Sequence, residues 1–358
     1  MFRALSIDGG GMRGLYTAAY LAELEAAYST RRKVEGLDIG KAFQLIVGTS
    51  TGAIVGCGLA TGIPPRKMME LYRQHGAEVF PEKLTNRVWD LIPQLFTRPA
   101  ILASGEAALR QHLEQIFNTT TLQQVWTNRG IALAIPAVSM STYRSWVFKT
   151  PHDQHSDHRD DGRTLVDVCL ASSAAPLYRS LAIIDHCQSG TCDVFTEGGL
   201  WANNPVLVTL TEALRLAPGC DEDIEIFCLG TCGKPEGEVI PREARHRSLM
   251  QWKFGGGAAA VSIAAQEYAF DAIARFLLPH LKTKVRIVRF PAEKIPGALL
   301  PYLDLDETRP KGLDALIGQA RQDAHMTNSD NYRGTEDGLA IVALPIPLSL
   351  CELCEKRS

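Results

Sequence analysis

The order of apolar and polar positions divides the first fifty residues into strand, helix and strand. Phe2 to Ile7 is a short, mainly apolar run that stops at Asp8-Gly9-Gly10-Gly11, which predicts a strand followed by a tight loop. From Leu15 to Tyr28 apolar residues recur at helical spacing (Leu15, Ala18, Leu21, Leu24, Ala27), with Glu23 and Glu25 placed outside. Phe43 to Val47 is apolar apart from Gln44, the pattern of a strand buried on both faces of a parallel sheet. Strand, helix, strand is the repeating unit of an α/β fold. Further along, Ile131–Val138 and Ile224–Leu229 are strand candidates, and Ser104 is placed as the cap of a helix ending near Phe117. Thr121 and Gln124 form a capping box. Asn204-Pro205 opens a helix with proline at its first position. Gly255-Gly256-Gly257 precedes a helix to about Leu278, on which Glu267, Asp271 and Arg275 form one solvated stripe. Pro151 to Arg163 is charged and predicts a surface loop.

Ala42 to Pro65 carries no charged residue, a length that could span a bilayer. It also holds Gly48, Gly52, Gly56, Gly58 and Gly62, with Gln44, Ser50 and three threonines, which a membrane helix does not explain. Composition excludes other classes. The 358 residues are 46% hydrophobic and 22% charged, so the chain is neither disordered nor collagen-like. A net charge of -3 predicts no general DNA or RNA binding, and a mean hydropathy of -0.04 argues against several membrane spans. The first residues lack an apolar signal core, and nine cysteines is an odd count, which predicts a cytoplasmic protein with reduced thiols. Cys351 and Cys354, with Cys187 and Cys192, could supply four zinc ligands; unpaired thiols are the preferred account. His152, His155 and His158 alternate with Asp153, Asp157 and Asp160; a solvated loop is preferred there over a metal site.

Gly48-Thr49-Ser50-Thr51-Gly52 is a G-x-S-x-G between an apolar strand and a plausible helix, Ala53 to Leu59. That context fits a nucleophile elbow, where the serine occupies a sharp turn and its neighbours must be small. Gly48 and Gly52 let strand and helix approach closely, which accounts for the glycine-rich run. At the end of the first strand, Gly9, Gly10, Gly11 and Arg13 are candidates for an oxyanion hole, because glycines leave backbone N–H groups unshielded. Gly9-x-Gly11-x-x-Gly14 also matches a dinucleotide fingerprint, but the second strand ends in Gly48-Thr49-Ser50 without the acid a ribose would need. Glu197-Gly198-Gly199 followed by Asn203-Asn204-Pro205 places an acid at a strand-to-helix turn.

Together these segments resemble the patatin-like phospholipase family. The resemblance covers about residues 2 to 232 and includes Ala171–Pro176 and Leu229-Gly230-Thr231. It implies a three-layer α/β/α fold around a central, mostly parallel sheet. The expected divisions are a core over 1–232, a C-terminal part over 233–347 packed on the same domain, and a tail over 348–358. The resemblance also implies a Ser–acid dyad that hydrolyses lipid acyl esters of phospholipase A type, with no metal and no cofactor. Ser50 would be the nucleophile. The acid falls at position 197, where the family has Asp and this chain has Glu. Glu197→Asp is accordingly expected to leave activity unchanged or to raise it. Asp193 is a second candidate for the acid, and His246, His280 or His325 could complete a triad. The layout also resembles bacterial patatin-like effectors of CBASS anti-phage systems, which implies a cyclic dinucleotide activator and the cell's own phospholipid membrane as substrate. Arg242, Arg245 and Arg247, with His246, Trp252 and Lys253, are the candidate ligand-binding residues. Trp89, Leu91, Ile92, Leu95 and Phe96 are candidates for transient membrane contact, although a place in the core is the preferred account. A homo-oligomer remains open. So does an impaired patatin fold that binds lipid or a partner, with Glu197 as its mark of decay.

Overall fold

A computed structural model describes residues 1–83, 88–153, 157–186, 191–217, 222–232, 237, 240–248, 250–252, 256–291, 295–329 and 334–348, without the side chains of 88–96, 186, 339 and 342. In chain order the main elements are β1 (Phe2–Ile7), α1 (Gly14–Arg32), β2 (Leu45–Gly48), α2 (Thr51–Thr61), α3 (Pro65–Val79), α4 (Val88–Phe117), α5 (Leu122–Arg129), β3 (Ala132–Ser139), β4 (Arg144–Lys149) and α6 (Leu165–Ser172). There follow β5 (Ala182–His186), β6 (Thr191–Glu197), α7 (Gly199–Ala202), α8 (Val206–Leu216), β7 (Ile224–Leu229), α9 (Gly256–Leu277), β8 (Val285–Phe290), α10 (Pro310–Thr327) and α11 (Glu336–Val342).

One sheet runs β5-β6-β3-β2-β1-β7-β8, with β4 beside β3. Pairings from β3 through β2, β1 and β7 to β8 are parallel, while β4, β5 and β6 join antiparallel. Alternate residues of β1 and β2 feed two separate cores. Leu5, Ile7 and Ile46 face the layer of α1, α2, α3 and α10; Phe2, Ala4, Leu45 and Val47 face α8 and α9. This is the expected three-layer α/β/α arrangement, and the apolar strands without period-2 alternation follow from burial on both faces. The C-terminal third joins the same layers. β8 extends the sheet at β7, and α10 meets α1 through Tyr16 Oη, which donates to Asp323 Oδ2 at 2.6 Å.

Several local expectations change. Ser104 is no cap: α4 runs through it, and its hydroxyl donates to the Ile101 carbonyl within the helix. Pro205 precedes α8, and Asn204 Oδ1 accepts the N–H of Val206. The Thr121–Gln124 capping box is present. In the Pro151–Arg163 loop, the His152 side chain and Asp160 are buried, and His152 Nε2 lies 3.4 Å from Glu212 Oε2. The α9 stripe is not simply solvated, because Glu267 bonds Asn203 and Asp271 bonds Arg289. No helix among the described residues is long and apolar enough to cross a membrane. The glycine-rich run instead forms β2, a sharp turn and α2.

Candidate active site

β2 delivers Ser50 at the turn into α2. Its backbone has φ 56° and ψ -120°, a left-side conformation that costs a non-glycine residue of order 1–3 kcal/mol. Serine at this position ordinarily caps the helix with its hydroxyl. Here no side-chain cap bond forms, and the hydroxyl faces the cleft it shares with Glu197, near enough to hold down the pKa of that carboxylate. The turn closes only with glycine on both sides: a Cβ on Gly48 would overlap the Gly52 carbonyl, and one on Gly52 would overlap Ile7 O.

Glu197 ends β6, opposite Ala137 of β3. The end of α6 holds both partners in register. Ser50 N donates to Ser172 Oγ at 2.9 Å, and Glu197 N donates to Ala174 O at 3.1 Å. Glu197 is 8% exposed. Burial raises its pKa to about 7, partly offset by the Ser50 hydroxyl. A carboxylate near neutrality is a far better proton acceptor than one at its ordinary value.

The glycine loop is oriented one peptide at a time. Gly9 O accepts from Thr231 Oγ1 at 2.9 Å and from Asn203 Nδ2 at 3.3 Å. Gly10 O accepts from Arg13 N and Arg13 Nε. Because a trans peptide points its C=O and N–H in opposite directions, these bonds turn the N–H groups of Gly10 and Gly11 the other way. Neither N–H has an acceptor among the described residues. Gly11 has φ 57° and lines the cleft with Ser50. Two candidates are corrected. The Gly9 N–H is committed to Asn203 O at 2.9 Å, and the Arg13 N–H to Gly10 O at 3.1 Å. The Arg13 side chain, buried at the loop, donates from Nε to the Gly10 carbonyl.

The cleft offers about 610 Å³ of space, part of it open to solvent. Apart from Ser50, Glu197 and Arg179, its walls are mostly apolar, with Met12, Ile54, Leu71, Val79, Phe80 and Leu109 prominent. His246, His280 and His325 are exposed, and none lines the cleft, so a histidine triad is not assembled. Asp193 lies four residues up β6 and pairs with Arg163 at 2.9 Å, not with Ser50. Arg242–Arg245 form an exposed 3-10 turn, and the Arg247 guanidinium sits 5.2 Å from the Trp252 ring centroid. Lys253 lies outside the described residues, as do Cys187, Cys351, Cys354, His155 and the side chains of Trp89, Leu91, Ile92, Leu95 and Phe96. Cys192 is an exposed free thiol. Among the described residues one group has metal-ligand spacing, His75, Glu78 and His112, where Glu78 accepts from both imidazoles.

Three supports went unassigned in the sequence. Asn203 belongs to the Asn203-Asn204-Pro205 motif, whose sequence does not indicate its bond to Gly9 O. Asp8 pairs with Arg289 at 2.7 Å, and its pKa is raised to about 6, mainly by burial. Glu267 fixes Asn203 from α9. Nothing local marks Asp8–Arg289 or Glu267–Asn203, because their partners lie far along the chain.

A hydroxyl on a strained strand-to-helix turn, a buried carboxylate as its partner and two open N–H groups on a three-layer sheet define a serine-hydrolase type of site. The family model described as patatin-like phospholipase matches residues 5–210, and the chain belongs to that family. Similar curated proteins include a cGAMP-activated phospholipase of Vibrio cholerae, 32% identical over 89% of this chain and 89% of that protein. A cGAMP-activated phospholipase of Pseudomonas aeruginosa is 34% identical over 76% of this chain and 74% of its own. A cUMP-AMP-activated phospholipase of Escherichia coli is 28% identical over 65% and 66%.

Proposed function

We propose that this chain hydrolyses the acyl esters of phospholipids with a Ser50–Glu197 dyad and is switched on by a cyclic dinucleotide in anti-phage defence. The observation that carries the chemistry is the meeting of Ser50 and a buried Glu197 in a mainly apolar cleft. Glu197 takes the hydroxyl proton as Ser50 Oγ attacks the ester carbonyl. The N–H groups of Gly10 and Gly11 stabilise the oxyanion, assisted by the positive end of α2. Glu197 then returns the proton to the departing alcohol and leaves an acyl-serine. Water, deprotonated by Glu197, attacks that ester; the fatty acid departs and the proton goes back to Ser50. The apolar walls receive the acyl chain, and transient contact with a membrane surface supplies it.

Activation rests on the three relatives whose names specify cyclic dinucleotides. Arg242, Arg245 and Arg247 are the residues proposed to meet the activator's phosphates. A decayed binding module is disfavoured, because Glu197 still engages Ser50 and the loop N–H groups are held open. The test is fatty-acid release from phosphatidylglycerol–phosphatidylethanolamine vesicles, with and without cGAMP or cUMP-AMP. Hydrolysis that rises with one nucleotide and vanishes in Ser50→Ala is expected. Equal rates with and without every nucleotide would refute the switch. Failure of a fluorophosphonate to label Ser50 would refute the enzyme.

A further inference from the structure

Arg179 lies in the loop after α6 and lines the cleft that holds Ser50 and Glu197. It is 7% exposed. No carboxylate or carbonyl among the described residues accepts from its guanidinium; its backbone N–H alone is bonded, to Ala175 O at 2.8 Å. The Phe80 ring faces the charge, with its centroid at 5.7 Å. Burial lowers its pKa to about 10, so the group stays charged at neutral pH. Glu106 and Tyr72 act on it only through space. Arg13, the other buried arginine at this site, differs because its Nε donates to Gly10 O.

Burying a cation without a partner destabilises the fold by several kcal/mol, and five N–H donors in a planar fork match a phosphate better than any other common anion except carboxylate. We propose that Arg179 is a phosphodiester-binding subsite of the cleft, which seats the headgroup phosphate of a glycerophospholipid while its acyl ester lies at Ser50. The inference rests on the acyl-hydrolase reading and extends it: the walls select the chain, and Arg179 selects phospholipid over neutral glyceride. A cyclic dinucleotide carries the same phosphodiester chemistry, so the experiment separates the two sources.

The test compares wild type, Arg179→Met and Arg179→Lys on phosphatidylglycerol and on diacylglycerol with the same chains, in mixed micelles at saturating cGAMP. The ratio of kcat/KM for phospholipid over diacylglycerol should fall about 10- to 100-fold in the Met variant, as loss of a charged hydrogen-bonded contact predicts. KM should carry most of the change, with Lys intermediate. The Met variant should melt at the wild-type temperature or above, since an unpaired buried charge is removed. Equal loss on both lipids, or no loss, overturns the proposal. A cGAMP midpoint that shifts while the ratio holds assigns Arg179 to the nucleotide and also overturns it. A wild type inactive on both lipids with cGAMP and with cUMP-AMP refutes the acyl-hydrolase reading itself, and the subsite with it.

Discussion

Replacing Glu197 with Gln should abolish activity and stabilise the protein, in a pH-dependent way. The folded-state pKa is raised from 4.5 to about 7, chiefly by burial. A group shifted in this direction contributes stability that is present below 4.5 and is lost as pH rises through 7. Within that window the native state binds more protons than the unfolded chain, so wild-type stability falls. At about 1.4 kcal/mol per pKa unit, the ionised carboxylate destabilises the fold by about 3 kcal/mol above pH 7. Gln is nearly isosteric and carries no charge to bury. Urea denaturation of both proteins at pH 5 and pH 8.5 should show the advantage of Gln growing by about 2–3 kcal/mol across that interval. Asp8 also has a raised pKa, near 6, but it is common to both proteins and cancels. Loss of the base should lower kcat/KM about 10²- to 10⁴-fold. The wild-type rate should fall about tenfold per pH unit below an inflection near 7, because only the ionised carboxylate accepts the Ser50 proton. An advantage that is the same at both pH values would refute the burial argument. A Gln variant that keeps more than a tenth of the wild-type rate would refute the role of base.

Glu197→Asp is now expected to lose activity, contrary to the sequence-based expectation. The backbone is fixed by the Ala137 pairing and the bond to Ala174, so one C–C bond, about 1.5 Å, retracts the carboxylate from Ser50. A drop near 100-fold in esterase rate follows; activity equal to wild type would show that β6 can move. His280→Ala and His325→Ala should each retain the esterase rate within about twofold, since both are exposed and neither lines the cleft; a severe loss in either would restore the triad.

The elbow was legible because its requirements are local. An apolar strand, small residues on both sides of a serine and an apolar helix specify the turn within a dozen positions, and the same run explains why an uncharged stretch need not enter a membrane. The alternatives at the glycine loop were harder. Four residues were equally eligible as oxyanion donors; Arg13 is excluded by its bond to Gly10 O within the loop, and Gly9 by Asn203, which bonds the loop from a distant segment, as Thr231 does. The α9 stripe was misjudged for a related reason. Helical spacing shows which residues share a face, but not what lies opposite, and here that face carries Glu267 to Asn203 and Asp271 to Arg289.

The sequence by itself therefore determined the order of elements through the elbow and the family to which the chain belongs, and it put forward Ser50 with a short set of candidate acids. These depend on neighbours in the chain and on residue type. Tertiary structure decided the rest: that Glu197 sits near neutrality, that Gly10 and Gly11 keep their N–H groups available, and that Arg179 enters the cleft as a cation with no acidic partner. Each of these is set by burial and by partners from other segments, some 200 or more positions away. Desolvation and hydrogen-bond satisfaction exist only once those segments pack together.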